Sequence, residues 1–196
     1  MYINSSIKNY LNELSSDKPI PGGGGTSALV AAFGIALALM VARISLRRLD
    51  KRAQKKLSQT IKLLERLRRE AEETVDLDPE VYADVMKSYK QLKASGHSSK
   101  GKTNVERALA NSFRLQADLA LLILMAKELL SSVDSFAKGS IRNDLFVSIG
   151  LLDGAFRGAI ATARINVVYM NKGAQKRHFE RALANVEQKY RKIKFG

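Results

Sequence analysis

From Ser27 to Ala42 the chain carries sixteen consecutive uncharged residues, dense in Ala and Leu, and Arg43, Arg47 and Arg48 follow at once. Such a run has few homes. A membrane-spanning helix needs roughly 20 apolar residues, and this run is shorter and richer in Ala. It reads as a buried core helix, with no membrane expected. Directly before it stands "DKPIPGGGGTS", in which Gly22, Gly23, Gly24 and Gly25 follow a proline. Gly loses more conformational entropy on folding than any other residue, so four together at the mouth of a core helix require an explanation.

The rest of the chain reads as helix after helix. The three prolines, Pro19, Pro21 and Pro79, all fall at natural breaks. Ile7 to Leu14 forms a short amphipathic segment. A second helix, capped by Thr26 or Ser27, runs to about Leu49, and a third runs from Lys51 to about Thr74, with Leu57, Ile61, Leu64 and Leu67 at helical spacing. Asp78 is then a good cap for a new helix with Pro79 at its first position and Glu80 in its first turn; Val81, Val85 and Tyr89 mark one face. Ala94 to Thr103 is a polar loop. A long helix spans Asn104 to about Phe136, Gly139 interrupts, another spans Ile141 to about Met170, and a basic helix follows Gly173. No period-2 strand pattern of any length appears. The expectation is an all-α fold, an up-and-down bundle of long helices in one domain spanning residues 1–196.

Composition narrows the chemistry. The 196 residues include no Cys, only two His, and 33 Lys plus Arg against 19 acids, for a net charge of +14. Thiolate chemistry and disulfides are excluded, and isolated His97 and His178 make no metal site. The charge points to an anionic partner. The opening "MYINSSIKNYLNEL" has no basic leader followed by an apolar run, and a cytoplasmic location is expected.

Gly150, Gly154, Gly158 and Thr162 recur every fourth residue. A mid-helix Gly costs roughly 1 kcal/mol against Ala, and close helix–helix approach is the expected compensation. Ser27, Ala31, Ala38 and Ala42 offer a similar thin face. At Gly22–Gly25 a helix start presents free N–H groups and a partial positive charge, which bare glycine backbone leaves open to an anion or a flat ring. The segment is neither a Walker loop, because no GK[ST] follows, nor a dinucleotide fingerprint, because no strand precedes it. A binding loop and a linker both remain open on these residues alone.

Three blocks, in order, resemble the formiminotransferase-cyclodeaminase C-terminal family. "LNELSSDKPIPGGGGTSALVAAFGIALALMVARIS" is similar to its Pro-Gly-Gly-Gly-Ser turn and Ala-rich helix. "VDLDPEVYADVMKSYKQLK" is similar to its acidic turn followed by an aromatic, here Tyr82. "KGSIRNDLFVSIGLLDGAFRGAIATARINVVYM" is similar to the segment that carries an aspartate at a helix start and ends in Arg-Ile-Asn. The chain departs from the family at Leu92, Lys93 and Ala94, where Leu-Pro-Lys is usual, at Asn143, where a Ser is usual, and near Ser112 and Phe113, where a Val-Pro pair is usual.

The resemblance implies an enzyme of tetrahydrofolate one-carbon chemistry, either formiminotetrahydrofolate cyclodeaminase, to which the reading leans, or methenyltetrahydrofolate cyclohydrolase. It implies no metal or other cofactor, with the folate itself, expected in its polyglutamylated form, as the partner. It assigns Asp144 as acid–base group, expected partly buried with a raised pKa, and Pro21, Gly22, Gly23, Gly24, Gly25, Asn143, Arg164 and Asn166 as substrate-binding residues. Asp144 and Asn166 lie 22 positions apart on one helix, roughly 33 Å, so a homodimer with a shared cleft is expected. Asp78 reads as a cap, with catalysis as its second reading. A helical scaffold without catalysis, or a nucleic-acid-binding protein using the basic surface, is the alternative.

Overall fold

The computed structural model describes residues 1–195. Its helices are α1 (Ile7–Leu14), α2 (Gly23–Leu46), α3 (Lys51–Ala94), α4 (Ser99–Asp134), α5 (Arg142–Tyr169) and α6 (Ala174–Lys192), with short 3₁₀ turns at Tyr2–Asn4 and Gly139–Ile141 and no strand among the described residues. Helices α2, α3, α4 and α5 pack in sequence around a square, α5 closing against α2, and α6 lies over α4 and α5. The all-α, up-and-down expectation holds.

Local chemistry sets most boundaries. Ser6, Asp50 and Ser98 cap α1, α3 and α4 by accepting from the N–H groups of Asn9, Ala53 and Gly101. The α3–α4 turn closes with Gly96 and His97 at positive φ, His97 N–H reaching back to Leu92 O at 3.0 Å. Gly139, also at positive φ, turns the chain into α5. The α6 helix is held by two stacked ring pairs, Phe113–Phe179 with centroids 4.0 Å apart and Phe156–Tyr190 at 3.6 Å.

The uncharged helix α2 lies inside the bundle on the side of Ala28, Ala31, Ile35, Ala38 and Ala42, all fully buried. Its outward side exposes Phe33 and Met40. By length and composition alone α2, α4 and α5 are each apolar enough to cross a membrane, and half of the most apolar window of α2 is buried within the bundle.

The loop read at Ala94–Thr103 is shorter, because α3 includes Ala94 and α4 already begins at Ser99 under its Ser98 cap. Two boundaries near the glycines differ further from the sequence reading. First, α2 begins at Gly23, so Gly23, Gly24 and Gly25 form its first turn and Gly22, in extended backbone, is the N-cap. None of the four has positive φ. Thr26 and Ser27 do not cap: their hydroxyls bond back one turn, Thr26 Oγ1 to Gly22 O at 2.8 Å and Ser27 Oγ to Gly23 O at 2.7 Å. Second, α3 runs unbroken through Asp78 and Pro79. The buried stripe Leu64, Leu67, Ala71, Val75 and Val85 continues through the proline, so tertiary packing carries the helix where the local signal would end it. Pro79 has no N–H to give to Val75 O, and that carbonyl faces Gly25 of α2, 3.2 Å from where a Cβ would stand.

The small-residue stripe on α5 also divides. Gly158 faces Ser27 of α2, whereas Gly150 and Gly154 have no neighbour within 4 Å of a would-be Cβ. Close approach within the chain accounts for Gly158 only.

Candidate functional site

The start of α2 meets the middle of α3 at one carboxylate. Gly25 N–H, at the third helical position, donates to Asp78 Oδ2 at 2.9 Å, and Gln116 Nε2 of α4 donates to Oδ1 at 2.7 Å. A helix start has N–H groups with no carbonyl to bind and a partial positive charge, so a carboxylate supplied by a neighbouring helix satisfies it. Gly24 makes this possible, because a Cβ there would overlap both Asp78 Oδ1 and Gln116 Nε2. The Asp78 side chain is thus spent across the bundle rather than on capping its own helix.

Beside Asp78 opens a cleft of about 540 Å³. One wall is the α2 start, with Gly22, Gly23 and Gly24; the α3 wall adds Tyr82, Met86 and Tyr89; the α5 wall adds Thr162, Asn166 and Tyr169. The cleft is apolar and aromatic at its rim, and none of its lining residues is Lys or Arg. Burial pushes the Asp78 carboxyl up from its ordinary value, while the Gly25 N–H and the Gln116 amide pull it the other way. Behind it Gln116 is fully buried, and among the described residues its Oε1 has no hydrogen-bond partner. The buried Tyr10 of α1 closes the back of the site, its hydroxyl 3.1 Å from Thr26 Oγ1. Asp76, two residues before Asp78, accepts from the backbone N–H of Tyr2, which ties the N-terminal segment over α3.

The sequence-derived site residues separate into two groups. Gly22, Gly23, Gly24 and Asn166 line the cleft. Gly25 sits behind them against Asp78, and Pro21, buried, follows a cis Ile20–Pro21 peptide. Asn166 donates from Nδ2 to Thr162 O at 2.9 Å, which fixes its amide against its own helix. Asp144 and Asn143 lie in the first turn of α5, and the cleft uses the last two turns of that helix. Arg164 points to the other side of α5 and pairs with Glu187 of α6 at 2.9 Å. The basic run Arg47 to Lys56 stands at the far end of α2 from the glycines, a 24-residue helix away. Among the described residues, no cluster of three or more His, Cys, Asp or Glu side chains could hold a metal.

Sequence reasoning gave Asp78 a cap's role first and did not single out Gln116. The signal for the cleft wall was present: Tyr82, Val85, Met86 and Tyr89 follow Asp78 at helical spacing on one face of α3, and all line the cleft. Nothing local to Gln116 marks it, because its partner lies 38 positions away.

Residues 6–185 match the family described as formiminotransferase-cyclodeaminase. A methenyltetrahydrofolate cyclohydrolase of Methylorubrum extorquens is 33% identical over 87 residues, which span 44% of this chain and 42% of that protein. The matching stretch therefore covers less than half of the relative's length. The crystal structure of formiminotetrahydrofolate cyclodeaminase from Thermotoga maritima has the same fold, with a TM-score of 0.74 at 21% identity, over 97% of this chain and 92% of that one.

Proposed function

This chain belongs to the formiminotransferase-cyclodeaminase family, and we propose that it is an enzyme that forms or opens the 5,10-methenyl bridge of tetrahydrofolate. The observation that carries the reading is the carboxylate of Asp78, held at a helix start beside a cleft rimmed by aromatic rings. Cyclodeamination and cyclohydrolysis both pass through a tetrahedral carbon and both need protons taken from one atom and delivered to another. In the first, N10 adds to the carbon of the protonated formimino group and gives up its proton, the bond from that carbon to the departing NH2 breaks, and that nitrogen takes up a proton to leave as ammonia. In the second, water adds to the methenyl cation and gives up a proton, the carbon–N5 bond breaks as N5 takes up a proton, and the new hydroxyl gives up its remaining proton to become the formyl oxygen.

A single carboxylate whose pKa is raised by burial can take the first proton and return the second. Asp78 suits this role better than Asp144, because it lines the cleft and Asp144 stands at the opposite end of α5. The rings of Tyr82, Tyr89 and Tyr169 offer flat faces to the pteridine and aminobenzoyl rings of the folate. Gly22, Gly23 and Gly24 leave their backbone bare on the opposite wall, and Asn166 offers its amide oxygen. The net charge of +14 supports polyglutamylated folate as the form drawn to the protein. The proposal includes a cytoplasmic location and a homodimer. Phe33 and Met40 on α2, and Val147, Gly150 and Gly154 on α5, are exposed on the outward faces of adjacent helices and supply the pairing surface.

The test is turnover. Purified protein is given 5-formiminotetrahydrofolate and, separately, 5,10-methenyltetrahydrofolate, and the ultraviolet absorbance of the methenyl bridge is followed. Turnover of at least one is expected, falling by about a hundredfold or more in Asp78→Asn. Folded protein that turns over neither substrate would leave the scaffold reading in its place.

A further inference from the structure

Gln116 is the least explained polar residue in the bundle. It has no exposed surface, it lies on α4 among Phe113, Leu119 and Ala120, and only one end of its amide is used. Nε2 donates to Asp78 Oδ1, whereas Oε1 is buried without a hydrogen-bond partner among the described residues. A buried acceptor left without a partner destabilises the fold, and a leucine or methionine at this position would avoid that cost.

Resting on the acid–base role proposed for Asp78, we propose that Gln116 is the positioning residue that serves this carboxylate in both of its protonation states. When Asp78 is ionised, the amide presents N–H to Oδ1, as in the structure. When Asp78 holds a proton, a half-turn of the amide about its terminal bond brings Oε1 to the place Nε2 occupied, where it accepts from the acid. The two ends of an amide are nearly equal in size, so the exchange needs no change in the packing around it. The free Oε1 is the feature that makes it workable: no second bond holds the amide in one orientation.

Gly25 N–H fixes the other oxygen throughout, so the carboxyl plane stays in register with the cleft while the proton comes and goes. Gly24 completes the arrangement, because the bare α carbon is what lets α2 lie against both partners. Other ionisable groups around Asp78 are few. Tyr10 faces it from α1; Tyr82 and Tyr89 on its own helix and Tyr169 on α5 share the cleft; α2 and α4 contribute no charged side chain to the lining.

The experiment compares Gln116→Met and Gln116→Glu with the native enzyme, measuring kcat and KM across pH together with the melting temperature. Methionine keeps the volume and removes both hydrogen-bonding ends. We expect kcat to fall about tenfold or more, KM to change by less than about threefold, and the acid limb of the kcat profile to move up by about one pH unit, as a carboxylate loses a donor. Glutamic acid can donate to Asp78 only while protonated. Gln116→Glu should therefore hold near-native turnover at the acid end and lose it as pH rises, a profile that simple loss of packing does not produce. Folded Gln116→Met with native kcat and an unmoved acid limb overturns the proposal. If the methionine variant does not fold, a native pH profile in Gln116→Glu overturns it instead. Asp78→Asn separates this idea from the reading beneath it. If that variant is inactive while both Gln116 variants behave as native, only the role of Gln116 fails; if it is fully active, the acid–base role of Asp78 fails first.

Discussion

Gly24 and Asp78 are packed so that no side chain fits between them: a Cβ on residue 24 would overlap the Asp78 carboxylate and the Gln116 amide that holds it. The neighbouring glycine is under no such constraint, since a Cβ at Gly23 would meet Thr162 Oγ1 at 3.7 Å, an ordinary contact. Gly24→Ala should destabilise the protein by about 1–3 kcal/mol, as overpacking does, and should abolish turnover because the carboxylate is pushed out of register. Gly23→Ala should melt no lower than the native chain. Thermal melts and turnover of the two variants side by side check this. Equal behaviour would mean that the Asp78 carboxylate and the Gln116 amide do not depend on the bare α carbon of Gly24.

Asp78 also makes a prediction about stability and pH. Its carboxyl is raised in the folded state, chiefly by burial. The folded protein therefore holds this proton at pH values where the unfolded chain, near the ordinary carboxylate value, has released it. The group favours folding below the unfolded value and loses that contribution as pH rises through the folded one. Asp78→Asn stays neutral at every pH. The stability of Asp78→Asn relative to the native protein should thus improve between acid and neutral pH, even as turnover collapses. Denaturant melts at a series of pH values measure the difference, and an Asp78→Asn variant that loses stability relative to the native protein as pH rises would contradict the burial argument.

The helices themselves were legible in the sequence because periodicity and caps are local. The start of α3 at Lys51, the polar stretch around Gly96 and the break at Gly139 need no knowledge of the rest of the chain. The site was legible only in part. Gly22, Gly23, Gly24 and Asn166 were marked by unusual composition or by family resemblance, and all four line the cleft. Asp78 presented a sound local account as a cap before Pro79, and that account fails because its oxygens bond Gly25 and Gln116, 53 and 38 positions away. A helix interrupted by proline survives when packing on both sides of the break outweighs one lost bond, and no window of sequence around residue 79 contains that packing.

Charge yields a further expectation. The cleft has no lysine or arginine in its lining, yet the chain carries +14, so the attraction proposed for a polyglutamate tail would act at long range rather than through fixed ion pairs in the cleft. Such attraction fades once the Debye length, about 10 Å at 0.1 M salt, falls below the separation of the charges. The advantage of pentaglutamate over monoglutamate folate in kcat/KM should be clear at low ionic strength and mostly gone by about 0.5 M salt. An advantage that salt does not touch would require specific cation contacts beyond this cleft.

The glycines inside the helices separate two kinds of packing. Gly34 is buried where α2 crosses α5: a Cβ there would come within 3.1 Å of Leu152 and 3.2 Å of Ser148 O, and Ser148 Oγ already donates to Gly34 O at 2.7 Å. Gly34→Ala should lower stability by about 1–3 kcal/mol at any protein concentration. Gly150 and Gly154 face open space within the chain, where alanine would gain up to about 1 kcal/mol each in helix propensity. That cost is offset only if something approaches this face closely, and a second copy is the proposed occupant. Gly150→Ala with Gly154→Ala should therefore raise the melting temperature of dilute, dissociated protein and weaken its self-association. Sedimentation equilibrium on the native and doubly substituted chains, with melts at matched concentrations, reads both effects. If stability rises while association stays unchanged, the two glycines do not contribute to pairing, and the copies meet through another face.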